Sequence, residues 1–176
     1  MEEFSYPIKA GQIKDQPQEY HLQATESQCK ALAKRFGLEA ITLLTGHFWL
    51  KHERSAIIAA KLTMRAEITQ LCVVTLEPFI ERLEEHADLR FVPAAILSRQ
   101  NQENEDEEED ITPESFDSPD EIPYENDQID IGAALSEQLG LALNPYPRKP
   151  GAVLPETATD DSTHPFAGLV NKLGKN

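Results

Sequence analysis

The chain has 176 residues, of which 40% are hydrophobic and 7% aromatic, and its formal net charge is −15. This length suits one hydrophobic core with room for a small subdomain. The lack of long apolar runs, of a basic and apolar leader and of a cysteine framework argues against a membrane, secreted or disulfide-stabilised protein, so a soluble cytoplasmic protein is expected.

The first predicted elements are two short strands and a helix. Residues 4–8 and 20–24 alternate apolar and polar side chains, and the proline in the first strand restricts it to a sheet edge. Thr25 and Gln28 form a capping box for the helix that follows, and Gly37 ends it. The apolar face of this helix consists of Cys29, Leu32, Ala33 and Phe36.

A hairpin is predicted next. Residues 41–50 are rich in β-branched and aromatic side chains, and residues 51–55 form a polar turn. Gly46 indicates either a bulge or a close approach of another element. His47 and His52 lie near each other in sequence without a surrounding carboxylate or cysteine pattern, so packing in a strand or at the surface is favoured over metal binding.

The most regular pattern in the chain covers residues 58–69, where apolar side chains occupy every second position. Alternate side chains of a strand point to opposite faces, so this pattern predicts a long strand with one apolar and one polar face. We expect the strand to continue into residues 70–79, with both faces covered at Val73 and Val74. It should bend or end at Pro78, which cannot donate a ladder hydrogen bond.

Residues 79–88 are compatible with a helix or a strand. A helix would align Phe79, Ile80, Leu83 and Ala87, whereas a strand would alternate apolar residues with charged ones. Because residues 88–92 are extended in character and Pro93 follows them, we favour a strand that pairs back on the long one.

The negative charge is concentrated in one segment. Between residues 100 and 147 there is no Lys or Arg but there are fifteen Asp and Glu, whereas the rest of the chain has sixteen residues of each sign. Residues 99–128 contain little apolar surface and are predicted to form a flexible acidic loop. It either attracts a basic partner or is simply solvated. Its isolated apolar residues, which are potential contact points, are Ile111, Phe116, Ile122 and Tyr124.

The last part of the chain begins with a helix whose N-cap is Asp130 and whose end is set by Pro145. Residues 145–151 are then extended, and residues 164–173 are compatible with a final helix. The side chains available for contact with a partner or RNA are Tyr146, Arg148 and Lys149.

These elements predict an α+β protein, mainly an antiparallel β-sheet with a few packed helices and a long acidic disordered loop. We divide it into a β-rich body with one helix at residues 1–98, the loop at residues 99–128, and residues 129–176, which dock back on the body.

No catalytic or cofactor-binding pattern is present in the sequence. It lacks a glycine-rich phosphate loop, a zinc-protease helix and a nucleophile elbow, so we expect no enzyme activity, no cofactor and no metal. Cys29 and Cys72 are interpreted as buried structural residues. Cys72 would need a second thiolate at Thr75 to make a zinc knuckle.

Two segments occur in an order that resembles a known family. They are residues 70–79 and residues 129–148, the latter followed by residues 165–169, with the acidic segment between them. Together they resemble the YceD family of bacterial proteins, named for accumulation of large-subunit ribosomal RNA, over about residues 4–172. The positions that correspond to family motifs are Cys72, Thr75, Glu77, Pro78, Phe79, Asp130, Glu137, Pro145, Pro147, Pro165 and Phe166.

The resemblance implies a cytoplasmic, non-enzymatic factor that supports 23S rRNA accumulation and large ribosomal subunit assembly. Many relatives carry Cys-x-x-Cys where this chain has Cys72 and Thr75, which puts a metal role in doubt. We hypothesise contact with a large-subunit ribosomal protein, an assembly factor or a pre-ribosomal particle, without DNA or membrane binding. Direct rRNA contact, or a metal-binding module that has lost its ligands, are the alternatives. A pI near 4.6 argues against broad binding to phosphate backbones.

Overall fold

The computed structural model describes residues 3–104 and 119–153, which form an α+β protein with two sheets. None of its described helices is both long and apolar enough to cross a bilayer. The strands are β1 Pro7–Lys9, β2 Gln18–Gln23, β3 Ala40–His52, β4 Ile58–Leu71, β5 Pro78–Pro93, β6 Asp120–Tyr124 and β7 Gln128–Asp130. The helices are α1 Glu26–Phe36, α2 Ala94–Asn104 and α3 Ile131–Ala142.

The main sheet has five strands in the order β2-β3-β4-β5-β6. All its pairs are antiparallel except β5–β6, which is parallel, while β1 and β7 form a separate antiparallel pair. The hairpin β3–β4 and the long alternating strand β4 confirm the sequence predictions. The buried apolar positions of β4 are Ile58, Ala60, Leu62, Met64, Ala66 and Ile68.

Residues 78–93 form a strand, which confirms the favoured alternative for the ambiguous segment. β5 pairs antiparallel with the whole of β4, from Leu71 opposite Pro78 to Ile58 opposite Phe91. The prediction that β4 continues into residues 70–79, with both faces of the strand covered at Val73 and Val74, is wrong because β4 ends at Leu71. Residues 72–77 are a turn between the two strands, and the Val73 side chain is exposed there because the chain reverses instead of continuing in the sheet.

The core lies between one face of the sheet and helices α1 and α3. α1 has the predicted capping box at Thr25 and Gln28, and Gly37 ends it with φ +67°. α3 crosses β3 at Gly46, where a Cβ atom would lie 2.8 Å from Cδ2 of Leu135. Gly46 therefore marks a close approach, and the bulge of β3 occurs between Ile41 and Leu43.

The opposite face of the sheet is uncovered by described elements and carries polar side chains; we call it the outer face. One row across four strands pairs His21 with His47, His47 with Thr63 and Thr63 with His86. The neighbouring row pairs Glu19, Trp49, Lys61 and Asp88 in the same strand order.

Residues 99–128 were predicted to be an acidic loop, but both ends of this segment have regular secondary structure. α2 extends to Asn104, and β6 and β7 begin at Asp120 and Gln128. Few apolar residues are needed to form β6, because it pairs with the edge of β5. The Tyr124 hydroxyl also holds β6 in place by donating to the Ala56 carbonyl at 2.6 Å. Residues 105–118 and the predicted helix at 164–173 lie outside the described residues, and the division of the chain at residues 98 and 128 stays a prediction.

Asp130 joins the amino terminus to the start of α3, as its predicted N-cap. Its Oδ1 accepts hydrogen bonds from the backbone N–H of Gly132, Ala133 and Tyr6 at 2.8–2.9 Å, and Ser5 donates to Oδ2. Burial raises the pKa of this carboxyl, but the hydrogen bonds to its charged form outweigh burial and lower the pKa below 3.8.

Replacing Asp130 with Ala should lower the unfolding free energy by about 1–2 kcal/mol, because α3 loses its N-cap. A carboxyl whose pKa is lower in the folded state stabilises the protein above the unfolded value of 3.8. This stabilisation is lost as the pH falls through the folded pKa. Urea unfolding between pH 7 and pH 3 measures both effects.

The matched control is Asp130→Asn, which retains the cap oxygen without the charge. It should be less stable than wild type at neutral pH, because the charge-dependent stabilisation is missing, and its stability should lack the acid-sensitive component. Equal acid sensitivity in wild type and Asp130→Asn would contradict the assignment of that component to Asp130.

Candidate functional site

The turn between β4 and β5 is closed by backbone hydrogen bonds. The Cys72 N–H donates to the Glu77 carbonyl at 2.9 Å, and the Leu76 N–H donates to the Cys72 carbonyl at 2.8 Å. Leu76 has a left-handed backbone with φ +57°. Residues 72–77 thus form a compact six-residue turn.

A proline-rich segment after α3, residues 144–149, lies against this turn; we call it the strap. The Val73 N–H donates to the Pro147 carbonyl at 2.9 Å, and Lys149 Nζ donates to Glu77 Oε2 at 2.9 Å. Asn144 Oδ1 accepts from the Tyr146 N–H at 2.9 Å and shapes the start of the strap. The structure therefore brings together the two separate motifs identified in the sequence.

Cys72 is buried at the contact between the turn and the strap. The Thr75 hydroxyl makes the largest contribution to lowering the pKa of its thiol to about 7. Burial opposes this, and the backbone N–H groups of Lys149, Thr75 and Val74 add to it. Such donors stabilise a thiolate, so Cys72 is more acidic than an ordinary cysteine. The burial predicted for Cys72 and Cys29 is confirmed.

The residues around Cys72 do not fit a zinc ion. A structural zinc site needs four ligands, with a second thiolate expected at residue 75. Thr75 is there instead, and its side chain lowers the pKa of the Cys72 thiol. Within residues 3–104 and 119–153, the group of three metal-ligating side chains that lie close together is on β2 and β3.

Several large apolar side chains around the turn are exposed, and we call them the hairpin-tip surface. Leu76 is 76% exposed, Tyr146 72% and Ile80 64%. Beside them, a groove of about 280 Å³ runs between the end of α1, the end of β4 and the strap. The residues of the hairpin-tip surface are Leu71, Val73, Leu76, Ile80 and Tyr146.

The other motif positions are distributed differently. Asp130 is a structural cap, Glu137 is exposed on α3, and Arg148 is exposed in the strap, while Pro165 and Phe166 lie outside the described residues. Pro78 and Phe79 begin β5 opposite Leu71 and Gln70. The functional roles suggested for these positions stay predictions.

Sequence reasoning missed Leu71, Val73, Leu76 and Ile80 as surface residues because it expected a continuous covered strand. The signal available was the short interval between Leu71 and Pro78. Six residues are enough for a chain reversal, after which Pro78 opens the return strand.

A family model described as "Large ribosomal RNA subunit accumulation protein YceD" matches residues 60–169, which is more than half of the chain. The matched part includes nearly all of β4, the turn, α3 and the strap. Comparison with curated proteins gave no match, and comparison with solved structures gave none either.

Replacing Thr75 with Val should raise the pKa of the Cys72 thiol from about 7 toward the ordinary value of 9.0, because the main hydrogen bond to sulfur is lost. The measurement is the ultraviolet absorbance of the thiolate during a pH titration, in a Cys29→Ser background. Thr75→Ser retains the hydroxyl and should titrate like wild type. A Thr75→Val titration identical to wild type would show that the hydroxyl does not control Cys72.

Proposed function

The chain belongs to the YceD family, and from this premise we propose that it supports 23S rRNA accumulation and large ribosomal subunit assembly as a non-enzymatic cytoplasmic factor acting through protein contacts. The hairpin-tip surface is the proposed contact with the partner. The carboxylates of the acidic segment between residues 100 and 147 attract the positive charges of a basic protein.

The observation that carries the proposal is the conformation of Leu76. A left-handed backbone costs a residue with a Cβ atom about 1–2 kcal/mol, and Gly or Asn would adopt it more readily. Leu76 gains little from burial in return, because 76% of it is exposed. Neither the fold nor the core accounts for a leucine here, whereas a partner that covers it would.

The turn and the strap together have features of a protein interface. Binding energy at interfaces is concentrated in a few apolar and aromatic anchors beside a pocket. Tyr146 provides an exposed aromatic ring, and the adjacent groove is lined mainly by apolar and proline residues. The lining includes Phe36, Leu38, Leu71, Leu143, Pro145 and Pro147.

The charges favour a basic protein over RNA as the direct partner. The segment with fifteen carboxylates and no Lys or Arg repels phosphates and attracts basic surfaces. Several described cations are paired with carboxylates, so their binding to a phosphate would have to replace an existing ion pair. These pairs are Lys61–Asp88, Arg65–Glu84, Arg82–Glu67, Arg90–Glu53 and Lys149–Glu77.

Leu76→Asn tests the hairpin-tip surface. Because Asn adopts the left-handed conformation more readily, the unfolding free energy should be unchanged or rise by up to about 1 kcal/mol. Loss of the apolar anchor should weaken association with large-subunit precursors by about tenfold or more. Urea unfolding measures the first effect, and co-sedimentation of tagged protein in sucrose gradients measures the second.

The gradient experiment uses a strain that lacks the gene, complemented with each variant. Tyr6→Ser is the matched control, since Tyr6 is also exposed but lies by the amino-terminal end of α3. Wild type and Tyr6→Ser should restore the large-subunit profile, and Leu76→Asn should not. Full restoration by Leu76→Asn would contradict the proposed contact.

The acidic segment is tested by replacing the carboxylates at positions 105–110 with Gln and Asn. This removes six negative charges. Association of wild type with large-subunit precursors should weaken as salt is added, whereas the neutralised variant should start weaker and depend less on salt.

Exchanging Glu and Asp at the same six positions is the charge-conserving control and should resemble wild type. If neutralisation strengthens association, the partner carries negative charge at this contact, and RNA becomes the favoured partner. If it has no effect, the acidic segment does not contribute to binding.

A further inference from the structure

A second group of chemically competent side chains lies on the outer face, away from the turn and the strap. Glu19 and His21 are on edge strand β2, two residues apart and therefore on the same face. His47 is directly opposite His21 on β3. All three precede residue 60, so they lie outside the part of the chain that the family model matches.

The ligand atoms of these residues converge. His47 Nε2 lies 3.3 Å from Glu19 Oε2, and His21 Nε2 lies 3.8 Å from the same oxygen. One ligand atom from each of the three residues lies within 4.8 Å of the other two. Two ligands of one tetrahedral zinc ion are about 3.4 Å apart, given bonds of about 2.0–2.1 Å. The Glu19–His47 separation already matches this value.

His47 is held in place and its Nε2 atom is unsatisfied. The His47 ring lies between His21, at 3.8 Å between ring centroids, and Trp49, at 3.7 Å. Its Nε2 atom is buried and has no hydrogen-bond partner, since the nearby Glu19 oxygen does not align with it. A buried nitrogen without a partner is unfavourable, and a bound cation would satisfy it.

We propose that Glu19, His21 and His47 bind a divalent transition-metal ion of the zinc class. Imidazole and carboxylate ligands suit Zn²⁺ and its neighbours in the first transition row, and three protein ligands leave a further position for water. A neutral imidazole ring offers one nitrogen lone pair to a metal, and a carboxylate offers its oxygens.

Only exposed side chains need to move for the three ligand atoms to reach one metal ion. The stacked rings have an interplanar angle of 24°, so the His21 ring must rotate to direct its lone pair at the ion. The side chains of His21 and Glu19 are 70% and 59% exposed, which leaves them room to rotate. The more buried His47 is already fixed by Trp49, so the site is partly preorganised.

The position of Trp49 supplies a direct measurement, because it is the one tryptophan in the sequence. Titration of the full chain with Cu²⁺ or Ni²⁺ should quench its fluorescence saturably at one ion per chain. Zn²⁺ added first should compete with that quenching. Cys29→Ser and Cys72→Ser are included in all proteins, so that thiols do not bind the metals.

Glu19→Gln and His21→Ala should each weaken binding by at least tenfold. Glu19 and His21 are both exposed, so these variants test metal binding without disturbing the core. His47→Ala should abolish saturable quenching. His86→Ala, in the same row, and His52→Ala, next to Asp15, are the controls and should stay within twofold of the parent.

Absence of saturable quenching in the parent protein would overturn the proposal. So would an equal loss of affinity in His86→Ala, or an unchanged affinity in both Glu19→Gln and His21→Ala. The outcome is independent of ribosome assembly, since binding is measured with the isolated protein and the metal alone.

Discussion

The close packing of α3 on β3 determines how the carboxyl-terminal part of the chain meets the sheet. At Gly46 the missing side chain lets Leu135 approach the strand, and at the other end of the contact Asp130 binds both the helix and the amino terminus. A helix seated in this way directs residues 144–149 toward the turn. The hydrogen bond between Val73 and Pro147 and the ion pair between Lys149 and Glu77 follow from that placement.

The parts of the fold that were predictable from sequence depend on local physical rules. Alternation over residues 58–69, the capping box at Thr25 and the helix stop at Gly37 each involve residues close in sequence. β6 was not predictable in this way, because a short strand with two apolar residues is stabilised by an edge that β5 provides from about thirty residues away. The turn after Leu71 was missed because apolar residues there suggested burial.

The same distinction applies to the candidate sites. Cys72 and Lys149 were both identified from sequence, but their proximity depends on the path of α3. Exposure of Leu76 cannot be inferred from its neighbours, and neither can its positive φ. His21 and His47 were separated by a helix and a turn in the sequence, and only the register of β2 on β3 shows that they are opposite each other.

The segment that the family model matches begins inside the folded sheet and not at its edge. The matched segment starts at Ala60, in the third position of β4, although β4 is paired with β3 along nearly all of its length. β3 also supplies Leu44 and Phe48 to the hydrophobic core. A chain that began at residue 60 would have a bare strand edge and an open core, which are features of aggregation. The folding unit of this chain therefore extends to the amino-terminal side of the segment that the family model matches.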